Sequence, residues 1–309
     1  MSENIRIKLL KSRNQIKRDR TIFVVSFLAL PIIGFLLFYV YVNLNSVLMA
    51  FQIPVYKEGK ITAEWSMDTW SLVFQDKTTR AEILLGLRNT LFFYLSNLFI
   101  VFPISLFMAY FFFKEIKGYK VFRFIFYLPC IISSSVLVVL FKYAIGEGGV
   151  LQGICKALGV KFVYPLTAEP NALITILIYS ILFGFGGKLI VLSGSMNGLN
   201  REVMEAGAID GCTWFQEFTL LVIPMLWPTL STMIILESAG FLGVSGPILA
   251  FSKGAFGTTA LSWILYDLVA GVSRAQNLYY ASALGLLMTF VTFPFVLLIS
   301  KFVNREEED

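Results

Sequence analysis

The sequence predicts an all-α integral membrane protein with six transmembrane helices. Three observations carry that prediction. Apolar types make up 57% of the 309 residues and aromatics 16%, while charged types are only 15%, against roughly a quarter in a soluble domain. The mean hydropathy is +0.75. Apolar runs recur six times, and a hydrocarbon core of about 30 Å takes roughly 20 helical residues to cross.

The chain begins with a basic tail, 1–21, holding Arg6, Lys8, Lys11, Arg13, Lys17, Arg18 and Arg20. The first run, 22–42, is too long for a signal-peptide core and no small-residue cleavage site follows it, so it reads as a retained span. The others are 89–113, 124–141, about 171–195, about 220–243 and 275–300, and an acidic tail, 304–309, ends the chain. The fourth run contains Lys188, which can snorkel if it lies near an interface. The stretch "GAFGTTALSWILY" (254–266) is too short to cross and reads as interfacial or re-entrant. The 43–87 connection is too short for a separate domain. It can form a small cap with Trp65 and Trp70 at the interface.

Lys and Arg bias sets the orientation. The tail holds seven, and the short connection 114–123 holds Lys114, Lys117, Lys120 and Arg123. The 43–87 connection holds Lys57, Lys60, Lys77 and Arg80, offset by five acids. This puts both termini, 114–123 and 196–219 in the cytoplasm. The net charge of +5 comes largely from the tail, so nucleic acid is not an expected partner. With no His, imidazole-based triads and HExxH sites are excluded, and Cys130, Cys155 and Cys212 lack metal-ligand spacing. No catalytic or metal site is expected.

Between the fourth and fifth runs the chain turns polar: "REVMEAGAIDGCTWFQEFTLLVIP", 201–224. Asn200 is a plausible N-cap, with Glu202 and Glu205 in the first turns. Gly211 suits a left-handed helix stop. Thr213 with Gln216 makes a capping box for the helix that re-enters the membrane. The segment therefore encodes a short helix, a sharp turn and a second helix. A short helix is not stable alone in water. Val203, Met204 and Ile209 could pack on the chain itself or dock in a partner's groove, and the residues alone leave both open.

Within the transmembrane runs, Glu237 is a functional candidate, since a charge there costs about 2.5–3.5 kcal/mol on insertion scales. It either lines a polar pathway or pairs with another helix. Ser238 and Phe241 follow it as allied candidates for a carbohydrate path, and Asn97 in the second run is a hydrogen-bonding candidate.

The polar segment resembles the EAA signature of ABC importer permeases: Glu-Ala-Ala, three residues, Gly, nine residues, Ile-x-Leu-Pro. Glu205, Ala206 and Gly207 hold the first positions, Asp210 precedes Gly211, and Leu221 to Pro224 hold the last. Every spacing matches. The departures are Gly207 for Ala, Leu221 for Ile and Ile223 for Leu. "RNTLFF" (88–93) and "YYASALGLLMTFV" (279–291) resemble the sugar-type, maltose-transporter class. The resemblance implies the ABC type I importer permease fold, with 201–224 as a cytoplasmic coupling segment. It also implies a non-enzymatic subunit in a bacterial-type inner membrane. The implied partners are a second, homologous permease forming a heterodimer, two cytoplasmic ATPases that carry ATP and Mg, and an extracytoplasmic solute-binding protein. The sequence agrees on one point: it has no GxxxxGK[ST] loop. A permease for a non-sugar solute is the nearest alternative. An ion-coupled transporter or a membrane-embedded enzyme would need charge relays, repeats or catalytic clusters that the sequence does not display.

Overall fold

In the computed structural model the described residues are 3–57, 60–75, 77–244, 246–271 and 277–304. Six helical stretches are long and apolar enough to cross a membrane: Arg18–Met49, Lys77–Phe113, Ser134–Ala157, which is interrupted at 146–149 between Ser134–Ile145 and Val150–Ala157, Asn171–Asn197, Trp214–Ala239 and Leu278–Asn304. The protein is a multi-pass membrane protein. The basic tail is helical from Glu3 and continues unbroken into the first span. Of the acidic tail over 304–309, only Asn304 falls within the described residues.

The third run departs from expectation. A single helix over 124–141 is not what forms, because the chain breaks at Ile132 and Ser133 into Tyr119–Ile131 and Ser134–Ile145. Pro129 removes one backbone donor and crowds the carbonyl four residues earlier. Ile132 is extended, at φ −79° and ψ 139°, and a run of three Ser opens the next helix. Two other prolines have a gentler effect. Pro103 and Pro224 each follow a π-helical stretch, Asn97–Val101 and Glu217–Val222, whose wider turn makes room for the ring without ending the helix.

Of the two readings of 254–266, interfacial or re-entrant, the second fits its packing. Its helix, Leu261–Ala270, has ten residues, about 15 Å at 1.5 Å per residue, half the length needed to cross a hydrocarbon core. One face packs into the protein, with Leu261, Trp263, Ile264, Asp267 and Leu268 buried, while Tyr266 and Val269 are exposed on the other. The motif at 88–93 holds its leading end. Asn89, fully buried, donates to the carbonyls of Gly257 and Thr259 at 2.7 Å each, and the Thr90 hydroxyl accepts the Leu261 N–H at 3.1 Å. Irregular backbone at this depth is tolerated because its polar groups are satisfied by side chains.

The 43–87 connection contains the one two-stranded sheet among the described residues, Gln52–Lys57 antiparallel to Lys60–Trp65. A hairpin of this size is marginal alone. It is held by the helix Asp68–Gln75, through Thr69 to the Gln52 carbonyl at 3.2 Å and Phe51 against Trp70 at 5.8 Å between ring centroids.

Three apolar clusters form the interior. One lies between the second, fourth and fifth spans, built on Leu106, Tyr110, Leu189, Met196, Phe218 and Leu226. A second joins the third and fourth spans to Ile248–Phe251 and Trp263. The third joins the second and sixth spans to Phe241 and Leu261–Ala270. The first span stands apart: no residue from Arg18 to Met49 is buried. The alternation of six crossings puts the 198–213 turn at the same end of the bundle as residue 114, and the hairpin at the opposite end.

Candidate functional site

The polar turn folds as a helix, Arg201–Ile209, a reversal at Gly211, and a second helix starting at Trp214. The Asn200 side chain caps the first helix by accepting the Glu202 N–H at 2.9 Å. Gly211 adopts φ +79°. The Cys212 N–H bonds the Gly207 carbonyl at 3.0 Å and the Gly211 N–H bonds that of Ala208 at 3.2 Å. This is a Schellman stop, which satisfies two otherwise orphaned carbonyls. Thr213 and Gln216 form the reciprocal capping box. Both helix ends are thus closed within 17 residues, from 200 to 216, which makes the elbow stiff.

The helix divides into two faces. Met204 and Gly207 turn inward, and Met204 joins the cluster shared by the second, fourth and fifth spans. A Cβ on Gly207 would meet Leu221 Cδ1 at 2.6 Å. Two of the three departures from the signature, Gly207 and Leu221, therefore fit each other: the Leu221 side chain reaches into the space the missing methyl leaves. Outward lie Glu202, Glu205, Ala206 and Ile209, spaced i, i+3, i+4 and i+7 on one stripe. Ile209 is 86% exposed, with Trp214 at 55% and Phe215 at 58% beside it. Packing on the chain and presentation to a partner are thus divided between Met204 on one face and Ile209 on the other. Glu205 is exposed and has no partner among the described residues, so the orphan N–H groups of its own helix do not hold it. Asp210 is the exposed C-cap, Leu221 is half-buried, and Pro224 is exposed at the start of Ile223–Ala239.

The elbow is fixed to the bundle by contacts that the motif does not include. Glu217, 6% exposed, accepts two hydrogen bonds from the Lys114 ammonium, both at 2.9 Å. Tyr110, 1% exposed, donates to the Trp214 carbonyl at 3.2 Å and packs against Phe218 with ring centroids 5.0 Å apart, tilted by 51°. The signal for these residues was available in the sequence: an acid opening the fifth span and a cation closing the second.

A second polar group lies within the spans. Lys188 does not snorkel. Its ammonium forms an ion pair with Glu237, whose other oxygen accepts from the Asn97 amide. The Lys188 side chain is 11% exposed and that of Glu237 22%. Buried charges persist when paired and hydrogen-bonded, and here three spans contribute to the pairing. Asn97 and Lys188 face a cavity of about 680 Å³. Ser96, Ser134, Ser180 and Tyr179 add hydroxyls to its wall, and Phe93 and Phe183 add aromatic faces.

Ser238 and Phe241 do not join this cavity. Ser238 is fully buried, in contact with the Tyr94 hydroxyl at 3.0 Å. Phe241 packs 4.9 Å from both Tyr94 and Phe295. Successive residues on a helix point about 100° apart, so Glu237 and Ser238 cannot share a face. The chain leaves α-helical geometry at Gly240, so Phe241 does not follow Glu237 one turn later.

No protein-family model matches the chain. It is 25% identical over 201 residues to a probable ABC transporter permease protein, YesP, of Bacillus subtilis, covering 64% of each chain. It is 26% identical to the multiple sugar-binding transport system permease protein MsmF of Streptococcus mutans, over 57% of this chain and 61% of that one. It is 27% identical to the lactose transport system permease protein LacF of Rhizobium radiobacter, over 59% and 64%. The chain thus spans less than two thirds of the length of these relatives. Among solved structures, a chain of a bacterial ABC transporter involved in import of the acidic polysaccharide alginate superposes with a TM-score of 0.79. That match has 24% identity and covers 96% of this chain and 99% of that one.

Proposed function

We propose that this chain, a relative of ABC transporter permease proteins, is the membrane-spanning subunit of an ATP-driven importer that takes a saccharide from an external binding protein. The observation that carries this reading is the elbow: a doubly capped helix that buries Met204 in the transmembrane core and leaves Ile209, Trp214 and Phe215 uncovered. Exposed apolar groups on a stiff element are what helix-in-groove docking uses. The groove belongs to a separate cytoplasmic ATPase, which supplies ATP and Mg, since this sequence has no phosphate-binding loop of the P-loop type. Glu205 meets a basic group of that ATPase, and Ala206 allows the close approach. Closure of an ATPase pair carries the elbow with it. Met204, Tyr110 and the Lys114–Glu217 pair pass that displacement to the second, fourth and fifth spans. A rigid-body rotation of this kind, against a second homologous permease, exposes the pathway to alternate sides.

The clustering of Lys and Arg in the first 21 residues and in 114–123 supports a cytoplasmic elbow and N-terminus, with the spans in a bacterial-type cell membrane. The names of MsmF and LacF support a saccharide as the solute. The test is isolation of the tagged chain from its own membranes. We expect an ATPase and a second permease to co-purify, and saccharide with its binding protein to raise ATP hydrolysis several-fold in liposomes. Isolation without any ATPase, combined with uptake that survives ATP depletion, contradicts the reading.

A further inference from the structure

The cavity has one charged lining residue among those described, and that charge is already balanced. Lys188 is the only ionisable Asp, Glu, Lys or Arg on its wall. Glu237 pairs with it from behind the wall, and Asn97 holds the remaining carboxylate oxygen. The other polar groups, Ser96, Ser134, Ser180, Tyr179 and the Asn97 amide, are neutral hydrogen-bonding groups, and Phe93 and Phe183 also line the wall. The volume of about 680 Å³ lies within the range of small-molecule sites.

We propose that this cavity is a saccharide site selective for uncharged over carboxylated solutes, and that Glu237 sets the selection by neutralising Lys188. The inference rests on the importer reading above and adds to it the charge class of the solute. An ammonium that already donates to a carboxylate keeps further N–H donors for sugar hydroxyls. An incoming carboxylate gains little, because it must compete with Glu237 for Lys188 and brings a second negative charge beside it. A cationic solute meets Lys188 first and has no free acid on the wall to receive it. The relation between the two residues is asymmetric. Removing the Glu237 charge frees a largely buried cation, and the same cavity then favours an anionic ligand.

The test measures saccharide binding to the complex purified with its native partner subunits. The probes are matched pairs of neutral di- and trisaccharides and their uronate counterparts, such as cellobiose and cellobiouronate. In the unaltered complex we expect the neutral members to bind at least about tenfold more tightly. Glu237→Gln, which keeps shape and hydrogen bonding, is expected to strengthen uronate binding about tenfold or more, the range of one charge-assisted hydrogen bond. The double variant Lys188→Met/Glu237→Leu replaces the pair by apolar groups of similar size, a change such sites tolerate. It is expected to keep the neutral preference and show no uronate gain. If Glu237→Gln does not assemble, Glu237→Ala takes its place, with the same expected gain in uronate binding and the same contrary result. Preference for uronates in the unaltered complex, or an unchanged preference in Glu237→Gln, overturns the inference and leaves the saccharide importer standing. Failure of both charge classes to bind the unaltered complex overturns the two readings together.

Discussion

Replacing Gly211 with valine is expected to lower solute uptake to background in membranes that still contain normal amounts of the chain. The reason is torsional. Gly211 has φ +79°, and a Cβ placed there would meet nothing within 4 Å, so crowding plays no part. An ordinary L-residue in the left-handed region costs about 1–2 kcal/mol, and a β-branched one is a genuine outlier there. The Schellman bonds from Cys212 and Gly211 to Gly207 and Ala208 depend on that turn. Losing them frays the last turn of Arg201–Ile209 and turns the exposed Ile209 out of its present direction. The six spans fold without it, so membrane insertion is expected to continue. Asparagine tolerates the left-handed region far better, so Gly211→Asn is expected to retain most uptake. Uptake in right-side-out vesicles, with immunoblots for chain and ATPase, checks both variants. Equal uptake by valine and asparagine variants would remove the turn geometry from the account.

Breaking the Lys114–Glu217 pair is the change expected to have the next largest effect. Truncating one partner of a fully buried pair costs about 3–5 kcal/mol. Glu217 is 7% exposed at its side chain but Lys114 is 41% exposed, so solvent screens part of the interaction. About 1–3 kcal/mol is the appropriate range. Lys114→Met strands a carboxylate between the second and fifth spans, whereas Lys114→Met/Glu217→Leu strands nothing. The single variant is therefore expected to lose more thermal stability, and more saccharide-stimulated ATP hydrolysis, than the double. The exchanged pair Lys114→Glu/Glu217→Lys should recover part of both. A double-mutant cycle on purified complex measures the coupling. Strict additivity would show that the pair does not join the elbow to the bundle.

The features legible in the sequence were those with a local cause. Run length and hydropathy located the membrane helices, because crossing lipid imposes a minimum length. The Asn200 cap, the Gly211 stop and the Thr213–Gln216 box each follow from a few adjacent residues, and the structure contains all three. What was harder to read depends on residues far apart in the chain. Lys188 and Glu237 are the only Asp, Glu, Lys or Arg residues inside the six apolar runs, yet they lie 49 positions apart, and no local pattern pairs them. Lys114 and Glu217 are 103 apart. Phe241 has the composition of a sugar-stacking ring, and only tertiary packing on Tyr94 and Phe295 assigns it to the core. The hairpin at 52–65 is carried by two short strands whose stability comes from the helix beneath them, which no local pattern reveals. The break at Ile132 shows the remaining difficulty. Prolines occur in or near several spans, and which of them ends a helix depends on the turn each neighbouring helix permits.

The central claim is that the outward stripe of Arg201–Ile209 is seated on a separate ATPase. The direct measurement places a single cysteine at position 205, in a chain whose Cys130, Cys155 and Cys212 have been changed to serine, and applies a short bifunctional thiol reagent to native vesicles. The account predicts a crosslinked product containing a nucleotide-hydrolysing subunit, with a yield that changes when a non-hydrolysable ATP analogue is added, and no such product from a cysteine at 150 at the other end of the bundle. Vesicles competent for uptake in which position 205 never captures an ATPase, or captures it no more than position 150 does, would contradict it.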